Sequence, residues 1–224
     1  PEAMQTILAF AGLIVIFAFF WIASPYFRQG ANIVAILLST AVNGVLALGV
    51  TFVIITAGID LSIGTVMTFS AVMSGVLIVD LGLPVPVGVL GGLLAGALCG
   101  LINGFVIAKM KVPPFIATLG MMMATKGLSL ILSKSKPIYL VDWPAFNKIA
   151  MGNFIPGVAI PNAVFILFGA AIIASLVLSK TILGRYTFAI GSNEEATRLS
   201  GVNVDAWKIG VYTLCGVFAG LGGV

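Results

Sequence analysis

The residues with the best potential for a chemical role are concentrated near the end of the chain. Residues 184–208, GRYTFAIGSNEEATRLSGVNVDAWK, hold six of the eighteen charged side chains. These six are Arg185, Glu194, Glu195, Arg198, Asp205 and Lys208. The chain has no histidine, and we find no convergent acid, base and nucleophile of the kind that an enzyme needs.

The same stretch predicts a short helix. Ser192 followed three residues later by Glu195 fits a capping box. Glu194 and Arg198 stand four apart, acid before base, which is the favourable order on a helix. Gly201 supplies a left-handed stop. A helix of about two turns is marginal alone, so we expect it to dock on another surface, and a solvated connector on lipid headgroups is the alternative.

The composition places the protein in a membrane. It is 60% hydrophobic and only 8% charged, with a mean hydropathy of +1.20, whereas about a quarter of an ordinary soluble domain is charged. The net charge of +4 is spread too thinly to bind nucleic acid. Cys99 and Cys215 lie inside apolar runs, and no phosphate-loop motif is present. We therefore expect no metal site, no disulfide framework and no cofactor.

Hydropathy divides the chain into membrane spans of about 20 residues each. Six apolar runs are long enough to cross, and a seventh begins: 6–24, 32–57, 62–79, 87–108, 115–132, 162–179 and 209 onward. The sequence predicts an all-α, polytopic transmembrane helical bundle that forms a single domain over residues 1–224. Because the chain starts at Pro1 and the seventh run is cut short, we expect a fragment of a longer protein.

The distribution of lysine and arginine predicts the orientation. If the N-terminus is cytoplasmic, six basic residues fall in the inner loops after the fourth and sixth runs, and four fall in the outer loops. Because inner loops carry the excess of basic residues, we expect residues 133–161 outside and residues 181–207 in the cytoplasm.

Several polar residues interrupt the apolar runs. Asp60 and Ser62 lie between two runs, either at a helix break near a polar path or as caps of the third helix. Asn43 should face protein or water rather than lipid, either on such a path or as an interhelical hydrogen-bond partner. Lys126 lies inside the fifth run, and we expect its ammonium group to extend to the outer headgroups.

The fourth run contains a row of glycines at every fourth position, including Gly92, Gly96, Gly100 and Gly104. Small residues at this spacing allow two helix backbones to approach closely in lipid. The partner helix belongs either to the same chain, which is the commoner case, or to a second copy in a dimer.

Two phrases carry a resemblance to a known family. Glu195-Ala196-Thr197-x-x-x-Gly201 resembles the E-A-A-x-x-x-G loop by which permeases of ABC importers engage their ATPase subunits. Residues 184–204 as a whole are similar to that loop in permeases of the ribose, xylose and galactoside type, and Thr197 in place of the second alanine fits this branch. Residues 56–71, TAGIDLSIGTVMTFSA, resemble the G-I-D-L-S signature of the same permeases.

The resemblance implies a function and partners. The chain would be the permease subunit of a bacterial inner-membrane ABC importer for a monosaccharide such as ribose. It would work as a homodimer, with separate ATPase subunits and a periplasmic sugar-binding protein. Ser192, Glu194, Glu195, Arg198 and Gly201 would then couple to the ATPase.

In such a sugar permease, Asn43, Asp60 and Ser62 would lie on the translocation path.

Two other transporter classes remain open. A branched-chain amino-acid permease would keep the coupling loop but is not expected to carry G-I-D-L-S. A secondary transporter would need no ATPase and would use carboxylates such as Asp60 as an ion site.

Overall fold

The computed structural model describes residues 2–155 and 160–224, and these residues form ten α-helices with no strand among them. The helices are α1 (Glu2–Ala23), α2 (Gly30–Ile55), α3 (Ile63–Gly75), α4 (Val85–Ala108), α5 (Pro114–Leu132), α6 (Pro144–Met151), α7 (Asn162–Lys180), α8 (Ile182–Ser192), α9 (Glu194–Leu199) and α10 (Val204–Gly223). A π-helical turn, Val76–Asp80, extends α3. Four residues of the predicted outer loop, 156–159, lie outside the described part.

Seven of these helices are long and apolar enough to cross a membrane: α1, α2, α3 with its π-helical turn, α4, α5, α7 and α10. These helices confirm the predicted all-α membrane bundle. Spanning segments are helical because a chain in lipid must satisfy its backbone hydrogen bonds within each segment. Prolines mark several starts, as at the first turns of α4 and α5, where a missing N–H costs nothing.

The seventh span differs from the prediction. Helix α10 begins at Val204 rather than at residue 209, and it is a full span of 20 residues rather than the start of one. Asn203 caps it by accepting a hydrogen bond from the Ala206 amide at 3.1 Å. Asp205 and Lys208 lower the hydropathy of the first turns, so the apolar run in the sequence starts after them.

Helix α10 is the centre of the bundle. Its buried residues Tyr212, Cys215 and Phe218 pack with Phe52 of α2 and Ala170 of α7 in the main apolar core. Helix α10 also packs along α4, and Tyr212 takes part in this contact as well. In contrast, no side chain of α1 from Met4 onward is buried.

Glycines make the contact between α4 and α10 a backbone contact. A Cβ added to Gly96 would lie 2.8 Å from the Gly220 nitrogen, and one added to Gly100 would lie 3.0 Å from the Cα of Thr213. Each also meets a carbonyl oxygen of α10 at still closer range. Both positions therefore have room for a hydrogen atom and nothing larger.

The outer members of the glycine row serve the same purpose. A Cβ on Gly104 would lie 2.7 Å from the Cα of Ile209 in α10, and one on Gly92 would lie 2.8 Å from the Ser70 carbonyl oxygen in α3. In the structure, the row faces helices of the same chain, so these glycines are occupied within the protomer and do not form a free seam for a second copy.

Candidate functional site

The predicted coupling loop, residues 181–207, is largely helical. Helix α8 fills its first part, and Thr181 caps this helix by accepting a hydrogen bond from the Gly184 amide at 3.4 Å. Gly191 lies so close to the Ile55 carbonyl group at the end of α2 that a Cβ would not fit. The segment is therefore held firmly against the spanning helices.

Helix α9 begins one residue later than its sequence suggests. The N-cap is Asn193, whose Oδ1 accepts a hydrogen bond from the Ala196 amide at 2.9 Å. Ser192, the predicted cap, is the last residue of α8. The side chain of Glu195 is exposed and makes no hydrogen bond within the described residues, so the expected capping box is wrong. Asn193 takes the role because it is the residue with extended backbone (φ −158°, ψ 102°) between the two helices.

The end of α9 is a Schellman motif built on Gly201. This glycine has a φ of +86°, a backbone conformation that residues with a Cβ rarely adopt. Its N–H donates to the Arg198 carbonyl at 3.0 Å, and the Val202 N–H donates to the Thr197 carbonyl at 3.4 Å. No atom lies within 4 Å of a Cβ added to Gly201, so the demand for glycine is purely conformational.

Ion pairs tie α9 to two neighbouring segments. Glu194 pairs with Arg198 at 3.3 Å, as its spacing predicts, and with Lys208 of α10 at 2.6 Å. Arg198 also pairs with Asp205 of α10 at 3.0 Å, and Asp205 pairs with Lys111 after α4 at 2.9 Å. Most charges of the cluster are therefore used to attach α9 to the bundle.

The network favours the charged forms of Glu194 and Arg198. Partial burial raises the pKa of Glu194, but the hydrogen bonds and charges of Lys208 and Arg198 together outweigh burial and leave that pKa below its usual value. The hydrogen bond and charge of Asp205 raise the pKa of the Arg198 guanidinium. Because each charge has a partner of opposite sign, the cluster is held together at neutral pH.

One face of α9 is left free by this arrangement. Thr197 points inward and donates a hydrogen bond to the Ala189 carbonyl of α8 at 2.9 Å. Glu195, Ala196 and Leu199 point outward, and Leu199 is 83% exposed. We call these three residues the outer face of α9. A leucine with this exposure beside an unpaired carboxylate, on a rigidly held helix, is a surface suited to a protein partner.

A second cluster lies at the break between α2 and α3. Asp60 Oδ1 accepts hydrogen bonds from the amide and the hydroxyl of Ser62, at 2.8 and 2.6 Å. Ser62 is the N-cap residue of α3 but makes no side-chain cap bond; its hydroxyl oxygen accepts a hydrogen bond from Asn103 Nδ2 of α4 at 3.0 Å. The two predicted residues therefore meet at the helix break, with Asn103 as a partner that sequence reasoning missed.

Helix α10 reaches the same cluster. The Tyr212 hydroxyl donates to the Ile59 carbonyl at 3.2 Å, and the Cys215 thiol donates to Asp60 Oδ2 over 3.6 Å. The sequence analysis predicted neither Tyr212 nor Cys215 as a partner of this cluster. The one indication in the sequence was that each residue places a polar group inside an apolar run. Hydrogen bonds thus connect the break between α2 and α3 to both α4 and α10.

Asn43 does not join this cluster. It lies twelve residues before the end of α2, which is about 18 Å along the helix axis. Its side chain is exposed and makes no hydrogen bond within the described part of the chain.

A cavity of about 370 Å³ lies between the N-terminal end of α9 and the chain that follows α2. Gly58 and Tyr212 line it beside the helix break, and Ser192, Glu194 and Lys208 line it beside α9. Movement of α9 would therefore change the shape of a space that also contacts the break.

Comparison with known proteins identifies relatives for most of the chain. A family model described as "Branched-chain amino acid transport system / permease component" matches residues 32–224. The chain is 38% identical to the fructose import permease protein FrcC of Rhizobium meliloti, covering 100% of this chain and 62% of that protein. It is 37% identical to the ribose import permease protein RbsC of Escherichia coli K12, covering 95% and 66%.

The L-arabinose transport system permease protein AraH of Escherichia coli K12 is 36% identical, with coverage of 95% of this chain and 65% of that protein. The chain thus spans slightly less than two thirds of the length of these three relatives. No solved structure matches it significantly.

Proposed function

The chain belongs to this family of permease components, and on that premise we propose that it is the membrane-spanning subunit of a bacterial ABC importer for a monosaccharide. The observation that carries the proposal is the 36–38% identity to fructose, ribose and arabinose import permeases over at least 95% of the chain. The subunit catalyses no reaction itself, and partner chains hydrolyse the ATP.

The sugar class is favoured over branched-chain amino acids. The family description names amino-acid transport, but the three relatives described above are named for sugars. The Asp60–Ser62 cluster is built on the G-I-D-L-S phrase that resembles sugar permeases. The substrate is therefore a monosaccharide.

Two partners dock on opposite faces of the membrane. ATPase subunits bind the outer face of α9 in the cytoplasm, and a periplasmic sugar-binding protein delivers cargo on the side of residues 133–161. A second copy of the chain completes a homodimer. Support for the second copy comes from Asn43, because an amide that is exposed within a membrane span needs a polar neighbour from another chain or from water.

The contacts of α9 suggest how ATPase closure reaches the transport path. Glu194 and Arg198 attach α9 to Lys208 and Asp205 at the start of α10. Two turns further on, α10 contacts the break between α2 and α3 through Tyr212. A displacement of α9 by the ATPase would therefore move α10 and the break together, because closely packed helices shift as a unit from one conformation to another.

Uptake by proteoliposomes tests the transporter class. The full-length permease, its ATPase and its binding protein should import D-ribose, D-fructose or L-arabinose only when ATP is inside with the ATPase. Uptake without ATP would instead identify a secondary transporter. Import of leucine but of none of the three sugars would identify an amino-acid permease.

Cysteine labelling tests the orientation. Lys148 of α6 and Ser200 after α9 are both exposed, and a cysteine at each position should react with a membrane-impermeant maleimide from opposite sides. The background lacks Cys99 and Cys215. Lys111 pairs with Asp205, so a cysteine at Met110 is expected to behave like the one at Ser200. With a cytoplasmic N-terminus, the Lys148 position reacts from outside and the Ser200 position from inside. The reversed pattern would refute the cytoplasmic N-terminus, and reaction of both positions from outside would refute the cytoplasmic placement of α9.

A further inference from the structure

Lys126 occupies an unusual position in the membrane bundle. Among the described residues, it is the one charged side chain more than five positions from either end of a candidate span. It lies on α5, it is exposed, and it makes no hydrogen bond or ion pair within the described residues. A charge this far inside a span does not face hydrocarbon without a large cost.

Extension of Lys126 to the nearest headgroups is disfavoured by helix geometry. The nearer end of α5 is its C-terminal end, six residues away at Leu132. Side chains on a helix lean toward the N-terminus, so Lys126 leans away from that surface. The snorkelling expected from the sequence is therefore a poor explanation for this residue.

A groove with a largely apolar wall and a few polar side chains surrounds Lys126. Its cavity of about 320 Å³ is lined by Thr65 and Thr68 of α3 and by Lys126, Ser129 and Leu130 of α5. Helix α5 is also less apolar than α2 and α7, although a similar fraction of each span is buried. A helix with as much exposed surface but lower hydropathy is suited to an aqueous environment on one side.

The groove continues toward the loop after α5. A second cavity of about 250 Å³ shares Thr68 with the first and is lined further on by Ala71, Gly75, Ser133 and Lys136. The two cavities thus form one track from the face that carries residues 133–155 to the depth of Lys126. We call this track the α3–α5 groove.

The hydroxyl groups of the groove are oriented as acceptors. Thr68 donates its proton to the Gly64 carbonyl at 3.1 Å, and Ser129 donates to the Thr125 carbonyl at 2.7 Å. Their oxygen lone pairs remain available, while Lys126 supplies up to three N–H donors. A ligand that fits must both donate and accept hydrogen bonds, as a polyol does.

We propose that the α3–α5 groove is a water-filled part of the sugar path, in which Lys126, Thr68 and Ser129 bind the hydroxyl groups of the monosaccharide. This inference rests on the proposed function for the identity of the cargo. It adds residues that the sequence motifs did not mark, since neither phrase of the family resemblance contains Lys126 or Ser129.

The groove suits a neutral polyol better than an anionic headgroup. Binding of phosphate relies on several donors that converge on its oxygens. Here Lys126 is the one cation lining the inner cavity, and the hydroxyl protons of Thr68 and Ser129 are committed to backbone carbonyls. The lining therefore suits a neutral ligand that carries both hydroxyl groups and apolar C–H surface better than an anion.

Thiol accessibility tests whether the groove holds water. Lys126→Cys and Thr68→Cys, in the background without Cys99 and Cys215, should react in intact cells with a membrane-impermeant methanethiosulfonate. Leu128→Cys is the matched control, because Leu128 is 45% exposed at nearly the same depth but does not line the groove; it should react at least tenfold more slowly. Equal rates at residues 126 and 128, or no reaction at residue 126, would overturn the proposal.

Uptake tests whether the groove binds the cargo. Lys126→Met removes the charge but keeps the length of the side chain, and it should lower uptake of the imported sugar about tenfold, the effect expected for losing a hydrogen bond to a charged group. Lys126→Arg should restore part of the rate at equal surface expression. Wild-type uptake by the methionine variant would exclude Lys126 from cargo binding.

The two proposals fail separately. If the wild-type complex imports none of the three sugars, the proposed function is wrong, whatever the labelling result. If it imports a sugar while the cysteine at residue 126 stays unreactive, the function stands and the groove is not the path.

Discussion

Replacing Gly100 with leucine should prevent α4 and α10 from packing, and folded protein should largely disappear from detergent extracts. A Cβ at this position already meets the backbone of Tyr212 and Thr213, and backbone cannot move aside without separating the two helices. Overpacking a core costs about 1–3 kcal/mol even when neighbours can adjust. Gly96→Leu should act in the same way, through contact with Gly216 and Gly220.

Gly169→Leu is the matched control. Gly169 lies within the spanning helix α7, and no atom lies within 4 Å of a Cβ added to it. The control should give monodisperse protein with nearly the wild-type melting temperature, whereas the Gly96 and Gly100 variants should aggregate or melt far lower. A wild-type yield and melting temperature for either the Gly96→Leu or the Gly100→Leu variant would show that α4 and α10 do not pack this closely.

The membrane bundle could be predicted from sequence because its determinants are local. Each spanning helix satisfies its own backbone hydrogen bonds, so hydropathy alone locates it. The pair of Glu194 and Arg198 and the positive φ of Gly201 are also local, since they depend on spacing and residue type within one short helix. The glycine row on α4 predicted close packing, although the sequence left its partner open between two cases.

The errors concern features that depend on tertiary contacts. The sequence favours Ser192 as a cap, but α8 continues through Ser192 while Gly191 packs against the end of α2. The ion pair between Asp205 at the start of α10 and Lys111 likewise joins residues that are 94 positions apart. No periodicity carries such information.

The same limit applies to the candidate path. Asn103 and Ser62 are separated by 41 positions, yet they share a buried hydrogen bond. Lys126 lies in an apolar run and gives no sign in the sequence that Thr68 lies beside it. Residues that meet only in the folded bundle become candidates once the helices are placed.

The structure changes the reason why Glu195 should matter. Its carboxylate takes no part in capping α9, so Glu195→Lys should leave the fold of the permease intact and alter only the surface that a partner meets. Leu199→Asp should act in the same way, because a side chain that is 83% exposed contributes little to packing. Gly201→Val should instead damage α9 itself, since a left-handed conformation costs a residue with a Cβ roughly 1–2 kcal/mol.

We therefore expect the Glu195→Lys and Leu199→Asp variants to insert into the membrane at wild-type levels but to lose the ATPase on co-purification. Their sugar uptake should fall about tenfold or more, since mismatched charge at an interface costs several kcal/mol. Lys148→Glu is the matched control, an exposed charge reversal on the opposite face, and it should retain the ATPase. Gly201→Val should lose the ATPase together with some stability. If the Glu195 and Leu199 variants keep the ATPase and transport normally, the outer face of α9 is not the docking surface, and the rigid ion-pair attachment of α9 serves only the fold.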